Sequence, residues 1–228
     1  MASPSLHITP LPLGPFETNC YIVQPMTSTR VLVIDPAAAP DQIRAMLEKA
    51  GQVVDTYILT HGHIDHFSAL EDLLRHFPAP VAMHAADARW AFSANNALPP
   101  FFNAPLKPVP TLPLPPDGQW WPDPQFRFSV MDTPGHTPGS VCLYFPELQA
   151  LFSGDTLFAG AIGRTDFPGG DAPAMARSLR RIFTLPAGTA VYPGHGPATR
   201  LDQEAATNYY VRQVIQKNAG GPARRTGE

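Results

Sequence analysis

Three imidazoles and a carboxylate fall within six positions, His61 to His66, in the run Thr60-His61-Gly62-His63-Ile64-Asp65-His66. Imidazole and carboxylate are the donors that zinc and neighbouring first-row metals take. Gly62 lets the backbone turn sharply between two of them. A histidine-rich surface turn would account for one such residue, but not for H-x-H-x-D-H at the end of an apolar strand. Two further histidines recur in matching settings: His136 in DTPGHTPGS and His195 in YPGHGPAT, both as Pro-Gly-His on tight-turn residues. Asp155 follows an apolar run in FSGDT. A core histidine or a turn aspartate explains any one of these; it does not explain the set.

The set offers seven donors, five His and two Asp. A single catalytic zinc takes three protein ligands and keeps a position for water. Seven donors therefore suit two ions that share a carboxylate. Our assignment gives His61, His63 and His136 to the first metal and Asp65, His66 and His195 to the second, with Asp155 bridging. Two ions about 3.5–4 Å apart can hold a hydroxide, because metal binding lowers the pKa of water from about 15.7 to about 7. No Ser or Cys nucleophile is then needed, and Cys20 and Cys142, in strand-like runs, read as core residues. Asp65 is also the candidate to accept a proton from the nucleophile.

These donors have to be positioned by strand ends. CYIVQ (20–24) and VLVIDP (31–36) read as an early hairpin, and VVDTYILT (53–60) as the strand that delivers His61. Further strands are expected at VAMH (81–84), FRFSVMDT (126–133), SVCLYF (140–145), QALFSGDT (149–156) and TAVYPG (189–194). Helical spacing marks 41–51, 68–77, 175–183 and 202–218, with a further helical stretch at AADARWAF. Strands alternating with helices give an α/β class. His136, Asp155 and His195 then each follow a strand, as His61 does. The organisation expected is one domain over 1–218 and a Gly-rich, flexible tail over 219–228.

Composition narrows the class further. The chain has 228 residues, 44% of them hydrophobic and 15% charged, enough to form a core without disulfide staples. Net charge −3 argues against a nucleic-acid binder driven by bulk positive charge. No apolar run is long enough to span a bilayer, and the N-terminus lacks a basic region followed by an apolar one. The expectation is a cytoplasmic enzyme with no membrane and no nucleic-acid partner. The 28 prolines are about twice the usual share, and many lie in 98–124. That stretch cannot form a regular helix. Its aromatics, Phe101, Phe102, Trp120 and Trp121, favour an ordered loop that walls a binding site over a flexible linker.

The chain resembles the metallo-β-lactamase superfamily, whose signature T-H-x-H-x-D-H is followed by distant His, Asp and His. Within it the chain is similar to the glyoxalase II-like hydrolases (hydroxyacylglutathione hydrolases), in their short bacterial form. The residues that carry this are Glu17-Thr18-Asn19-Cys20-Tyr21, THGHIDH, PGHTPGS, the run GDTLFAGAIGRTDFPGGD from Gly154 to Asp171, and PGHGPAT with Thr207-Asn208. The resemblance implies an αββα sandwich with metals at one edge of two packed sheets, and the same seven ligands. Tyr209 stands where relatives usually have proline after the asparagine. The C-terminal helical domain with which longer relatives contact glutathione is not expected here, and only Lys49, Lys107 and Lys217 are lysines. Those substrate contacts are not carried over.

The expected function is hydrolysis of a small acyl-thiol such as S-lactoylglutathione, with two divalent ions, zinc first and iron or manganese as alternatives. The rival is a persulfide dioxygenase with one iron on His61, His136 and Asp155. A lactonase or nuclease of the same fold, and a scaffold that has lost activity, complete the field. Arg164 and Asp166 are read as a pair supporting Asp155 and the histidines. His76 and His84 are read as structural and His7 as exposed.

Overall fold

A computed structural model describes residues 6–105 and 111–216. The tail expected over 219–228 and the lysines Lys107 and Lys217 lie outside the described residues. In chain order the elements are β1 (Leu6–Leu13), β2 (Thr18–Pro25), β3 (Arg30–Ile34), α1 (Pro40–Lys49), β4 (Val53–Ile58), α2 (Leu70–His76), β5 (Val81–Met83), α3 (Ala85–Ala88) and β6 (Thr111–Pro113). The second half follows with β7 (Ser129–Asp132), β8 (Val141–Phe145), β9 (Ala150–Gly154), β10 (Leu157–Phe158), β11 (Ala161–Ile162), α4 (Ala172–Ile182), β12 (Ala190–Pro193), β13 (Thr199–Arg200), α5 (Leu201–Thr207) and α6 (Tyr209–Gln216).

Two sheets result. The first has the order β1-β2-β3-β4-β5-β6 and the second β13-β12-β9-β8-β7; β10 and β11 form a separate small ribbon. The central strands read as continuous apolar runs because both of their faces are covered. In β2, Cys20 and Ile22 face one layer while Tyr21 and Val23 face the other. In β3, Val31 and Val33 alternate in the same way with Leu32 and Ile34. One set packs under Ile43 and Leu47 of α1 and Leu70 and Leu73 of α2. The other meets Val130, Leu143, Phe145 and Phe152 of the second sheet, forming the layer between the sheets. The far face of the second sheet, with Met131, Cys142, Leu151 and Val191, is covered by Met175, Leu179 and Ile182 of α4, Leu201 of α5 and Val211 of α6. Helix, sheet, sheet and helix thus stack as the expected αββα sandwich.

The helices follow their local chemistry. α1 starts on Pro40, whose missing N–H costs nothing at that position, and buries Ile43 and Leu47 one turn apart. Asp171 caps α4 by accepting from Ala174 N at 2.8 Å.

Several elements differ from the sequence expectation: the short strands β6, β10, β11 and β13 were not anticipated, and four larger differences have a clear physical cause. β1 was not anticipated, because Pro10 and Pro12 argue against a strand; it is an edge strand, where a missing donor is tolerated and discourages further pairing. The strand expected from 126 begins only at Ser129, after a short 3-10 turn over Pro124–Phe126. The helix expected at AADARWAF is a single turn, α3, capped by His84, whose Nδ1 accepts from Ala86 N. The last helix breaks in two at the fully buried Asn208. Its Oδ1 accepts from Tyr210 N and Val211 N, while its Nδ2 donates to Ala161 O and Glu204. His76 is exposed against Arg44, not structural; His7 is exposed as expected.

Candidate metal centre

All seven sequence-identified donors meet at one edge of the sandwich, and four strand ends bring them there. β4 delivers the loop carrying His61 and His63 and the 3-10 turn Ile64–His66. His136 lies between β7 and β8, Asp155 follows β9, and His195 follows β12. The edge is stitched between sheets: Val141 N donates to Thr60 O at 2.9 Å, and Asn19 N to Gly194 O at 2.7 Å.

The donor atoms fall into two sets. His61 Nε2 is 3.1 Å from His63 Nδ1, which is 2.9 Å from His136 Nε2. His66 Nε2 is 3.3 Å from His195 Nε2, and Asp65 Oδ2 is 3.4 Å from the latter. Asp155 lies between the sets: Oδ1 is 3.3 Å from His66 Nε2, and Oδ2 is 3.5 Å from His136 Nε2 and 3.6 Å from His195 Nε2. Donors about 2.0–2.1 Å from one tetrahedral ion stand about 3.3 Å apart, so these spacings suit metal binding.

The hydrogen bonds behind the ring make the case stronger. His66 Nδ1 faces Asp35 Oδ2 at 2.9 Å, His136 Nδ1 faces Arg164 O at 2.8 Å, and His195 Nδ1 faces Phe16 O at 3.0 Å. Each of these acceptors requires the proton on Nδ1, which leaves a bare lone pair on Nε2 pointing inward. His61 follows the same logic through one relay. Thr60 Oγ1 donates to Asp35 Oδ2 at 2.7 Å and so accepts from His61 Nδ1 at 3.2 Å. Four imidazoles thus turn lone pairs toward one another and toward Asp155, whose buried Oδ1 has no hydrogen-bond partner. Lone pairs facing lone pairs repel unless a cation lies among them. The donor set fits divalent metals.

Electrostatics divide the donors: burial opposes charge on His66 and His195, but the neighbouring carboxylates outweigh it and raise both above the ordinary imidazole range, so in the metal-free chain a proton supplies the positive charge that a metal would bring. Burial, reinforced by neighbouring imidazoles, holds His61 well below the ordinary imidazole range. Burial and the His136 imidazole lower His63 to about 4. Burial opposes charge on Asp65 and Asp155, but His66 and its neighbouring imidazoles outweigh it and keep both carboxyls below the usual range. Both therefore stay anionic, as metal ligands must. The buried Cys142 thiol is pushed up to about 11, and Cys20 is raised further by burial. Neither is a nucleophile.

Three residues that support the site were not singled out from sequence. Asp35 is buried with φ of +50° and takes hydrogen bonds from Thr60 N, Thr60 Oγ1 and His66 Nδ1. An aspartate closing the apolar run VLVIDP was its one available signal. Asp87, fully buried, has no such signal; it accepts from Gly62 N, Thr137 Oγ1, Gly139 N and Trp90 Nε1. Asn19 holds the His195 loop by donating to Pro193 O at 3.0 Å and Gly196 O at 2.8 Å.

One expectation is corrected. The Arg164 and Asp166 side chains do not support Asp155 or the histidines. They are exposed and pair with each other through two bonds of 2.7 Å, and only the Arg164 carbonyl reaches His136. The described part of the Pro-rich stretch is ordered, with Phe102 and Trp121 buried. Residues 101–105 line a separate cavity of about 470 Å³ with Gly14, Ile64, Phe67 and Phe92, and no donor lines it. The aromatic neighbours of the site come from elsewhere. Trp90 and Phe167 lie 5.6 and 5.7 Å from the His63 ring, and Phe158 lies 6.0 Å from His195.

The sequence profile of the metallo-beta-lactamase superfamily matches residues 13–195. A probable metallo-hydrolase of Bacillus subtilis, YqgX, is 32% identical over 205 residues, covering 88% of this chain and 95% of that protein. The hydroxyacylglutathione hydrolase GloC of Haemophilus influenzae is 28% identical over 209 residues, covering 90% and 98%. Among solved structures, the BLEG-1 B3 metallo-beta-lactamase superposes with a TM-score of 0.83 at 33% identity, covering 90% of this chain and 99% of that one. TTHA1623 in a di-iron-bound form gives 0.79 at 38% identity, covering 89% and 99%.

Proposed function

The chain belongs to the metallo-beta-lactamase superfamily as one of its metallo-hydrolases, and from that premise we propose that it cleaves a small acyl-thiol, with S-lactoylglutathione as the leading substrate. The observation that carries this is the convergence of all seven donors in two sets with Asp155 between them. GloC, similar over nearly its whole length, supports the thioester class. His61, His63 and His136 would hold the first ion and Asp65, His66 and His195 the second, with Asp155 shared. Ions held there would polarise the carbonyl and acidify water to a pKa of about 7. Zinc suits the donor set; the di-iron form of TTHA1623 makes iron the competing metal.

The chain's own groups do the rest. Asp65, ionised and near His195, accepts the proton that the attacking water gives up. Thr18 Oγ1 donates to Asp65 Oδ2 at 3.3 Å and orients it. Trp90, Phe158 and Phe167 present apolar faces that exclude bulk water around the donors. The run FPGG after GRTD resembles the hydrolases more than the dioxygenases, which favours hydrolysis over chemistry on one iron held by His61, His136 and Asp155.

The likeness to BLEG-1 favours one second reading, opening of a β-lactam amide. One preparation decides between them, through elemental analysis, S-lactoylglutathione hydrolysis, cephalosporin hydrolysis, and O2 uptake with glutathione persulfide. The expected result is about two metals per chain with thioester cleavage dominant. Dominant β-lactam cleavage, or one iron with persulfide-dependent O2 uptake, would overturn the proposal.

A further inference from the structure

Asp87 lies outside the donor set, yet it joins the two loops that carry His63 and His136. Its Oδ2 accepts from Gly62 N at 2.8 Å and from Thr137 Oγ1 at 2.6 Å. Its Oδ1 accepts from Gly139 N at 2.8 Å and from Trp90 Nε1 at 3.2 Å. Gly62 is the residue between His61 and His63, and Thr137 follows His136 directly. The Gly62 peptide is gripped from its other side too, because Asn96 Nδ2 donates to Gly62 O at 2.7 Å. The loops close tightly on the carboxylate: a Cβ added to Gly139 would lie 2.7 Å from Asp87 Oδ1. No comparable bond runs from Asp87 to the loops of His66 or His195, where Asp35 and Asn19 serve.

We propose that Asp87 is a positioning residue for the first metal alone, setting the distance between His63 and His136, so that the two metal sites have separate supports and can be emptied separately. This rests on the two-metal reading above. The physical basis is the count of donors that cannot reverse. The Gly62 and Gly139 amides and the Trp90 indole can only donate, whereas the Thr137 hydroxyl can turn and donate to Ser140 Oγ, 2.8 Å away. A side-chain amide at position 87 has one acceptor oxygen in place of two. Placed with least conflict, its NH2 group takes the Oδ2 position, Thr137 turns, and the Gly62 N–H faces another donor. The His61–His63 turn is then pushed away from His136, while Asp35 still holds His66.

The test compares wild type with Asp87→Asn, both stripped and reloaded with Co(II) as the probe and followed by titration, the cobalt d–d spectrum and elemental analysis. Loss of support behind a ligand typically weakens metal binding 10–100-fold. We expect a loss of that size for one of the two cobalt sites, an altered spectrum for that site, and unchanged affinity at the other, beside a metal-free melting temperature lowered by several degrees because a buried N–H then faces a donor. Two unchanged affinities would overturn the proposal, as would equal weakening of both sites. If Asp87→Asn does not fold, Thr137→Val removes one of the four bonds without adding a donor. It should weaken the same single site by a few-fold, and no change there would overturn the proposal. A wild type that holds only one ion would count against the two-metal reading itself. Asp87 would then be judged on that ion, whose affinity should fall in the variant.

Discussion

Asp35 shows how much of this site depends on single atoms. Its two oxygens take three hydrogen bonds, and one of them fixes the proton of His66 on Nδ1. Asn tolerates a left-handed φ as well as Asp does, so Asp35→Asn leaves the backbone at +50° unstrained and tests the acceptors alone. We expect weaker binding of the metal on His66, by about 10–100-fold, read by elemental analysis after dialysis. Removing a donor itself should do more: Asp65→Ala and His63→Ala should each lose over about 100-fold in turnover, with less bound metal. His63 also carries a pH signature in the metal-free protein. Its folded pKa of about 4 lies below the ordinary value of about 6.5, so between those values the unfolded chain binds a proton that the folded chain refuses. Its contribution is complete above about pH 6.5 and is lost as pH falls toward about 4. His63→Asn should flatten that part of the pH–stability curve measured by denaturant melts of the metal-free protein.

At the scale of elements, strand ends and helix breaks set the tolerances. Gly194, which follows β12, lies against the Asp155 carboxylate; a Cβ there would come 2.2 Å from Asp155 Oδ1 and 2.6 Å from His66 Cε1. Gly194→Ala should therefore displace a ligand while leaving the strand paired, giving a folded protein with reduced metal content and activity. The break between α5 and α6 is a different case. Asn208 caps the second helix and ties it to Ala161 and Glu204. Asn208→Ala should cost about 1–2 kcal/mol, read as a melting temperature lower by roughly 2–8 °C, without a change in metal content.

Across the whole molecule, the candidate metal site lies between the sheets. His61, His63, Asp65 and His66 follow a strand of the first sheet; His136, Asp155 and His195 follow strands of the second. Ions bound there would join the two sheets and stabilise only the folded form. At a free metal concentration 100 times Kd, one site contributes about 2.7 kcal/mol. Chelation should lower the melting temperature by several degrees, and reloading should restore it. No helix among the described residues is long and apolar enough to cross a membrane.

The sequence by itself determined the donors and most of the scaffold that presents them. Ligand chemistry is written in residue types, as at His61, His63 and His66, and alternating apolar runs such as CYIVQ and VLVIDP report strands through local periodicity. Tertiary structure decided what depends on distant partners. Asp87 meets Thr137 and Gly139 across 50 and 52 positions, and Asn19 reaches Pro193 and Gly196 across 174 and 177. No local pattern encodes such bonds. β1 was hidden for the same reason, since its prolines are acceptable only at a sheet edge and edge position belongs to the whole sheet. Arg164 and Asp166, two residues apart in a motif-like run, satisfy each other at the surface. Their support of the site is left to a backbone carbonyl, an atom that every residue carries and that no sequence can single out.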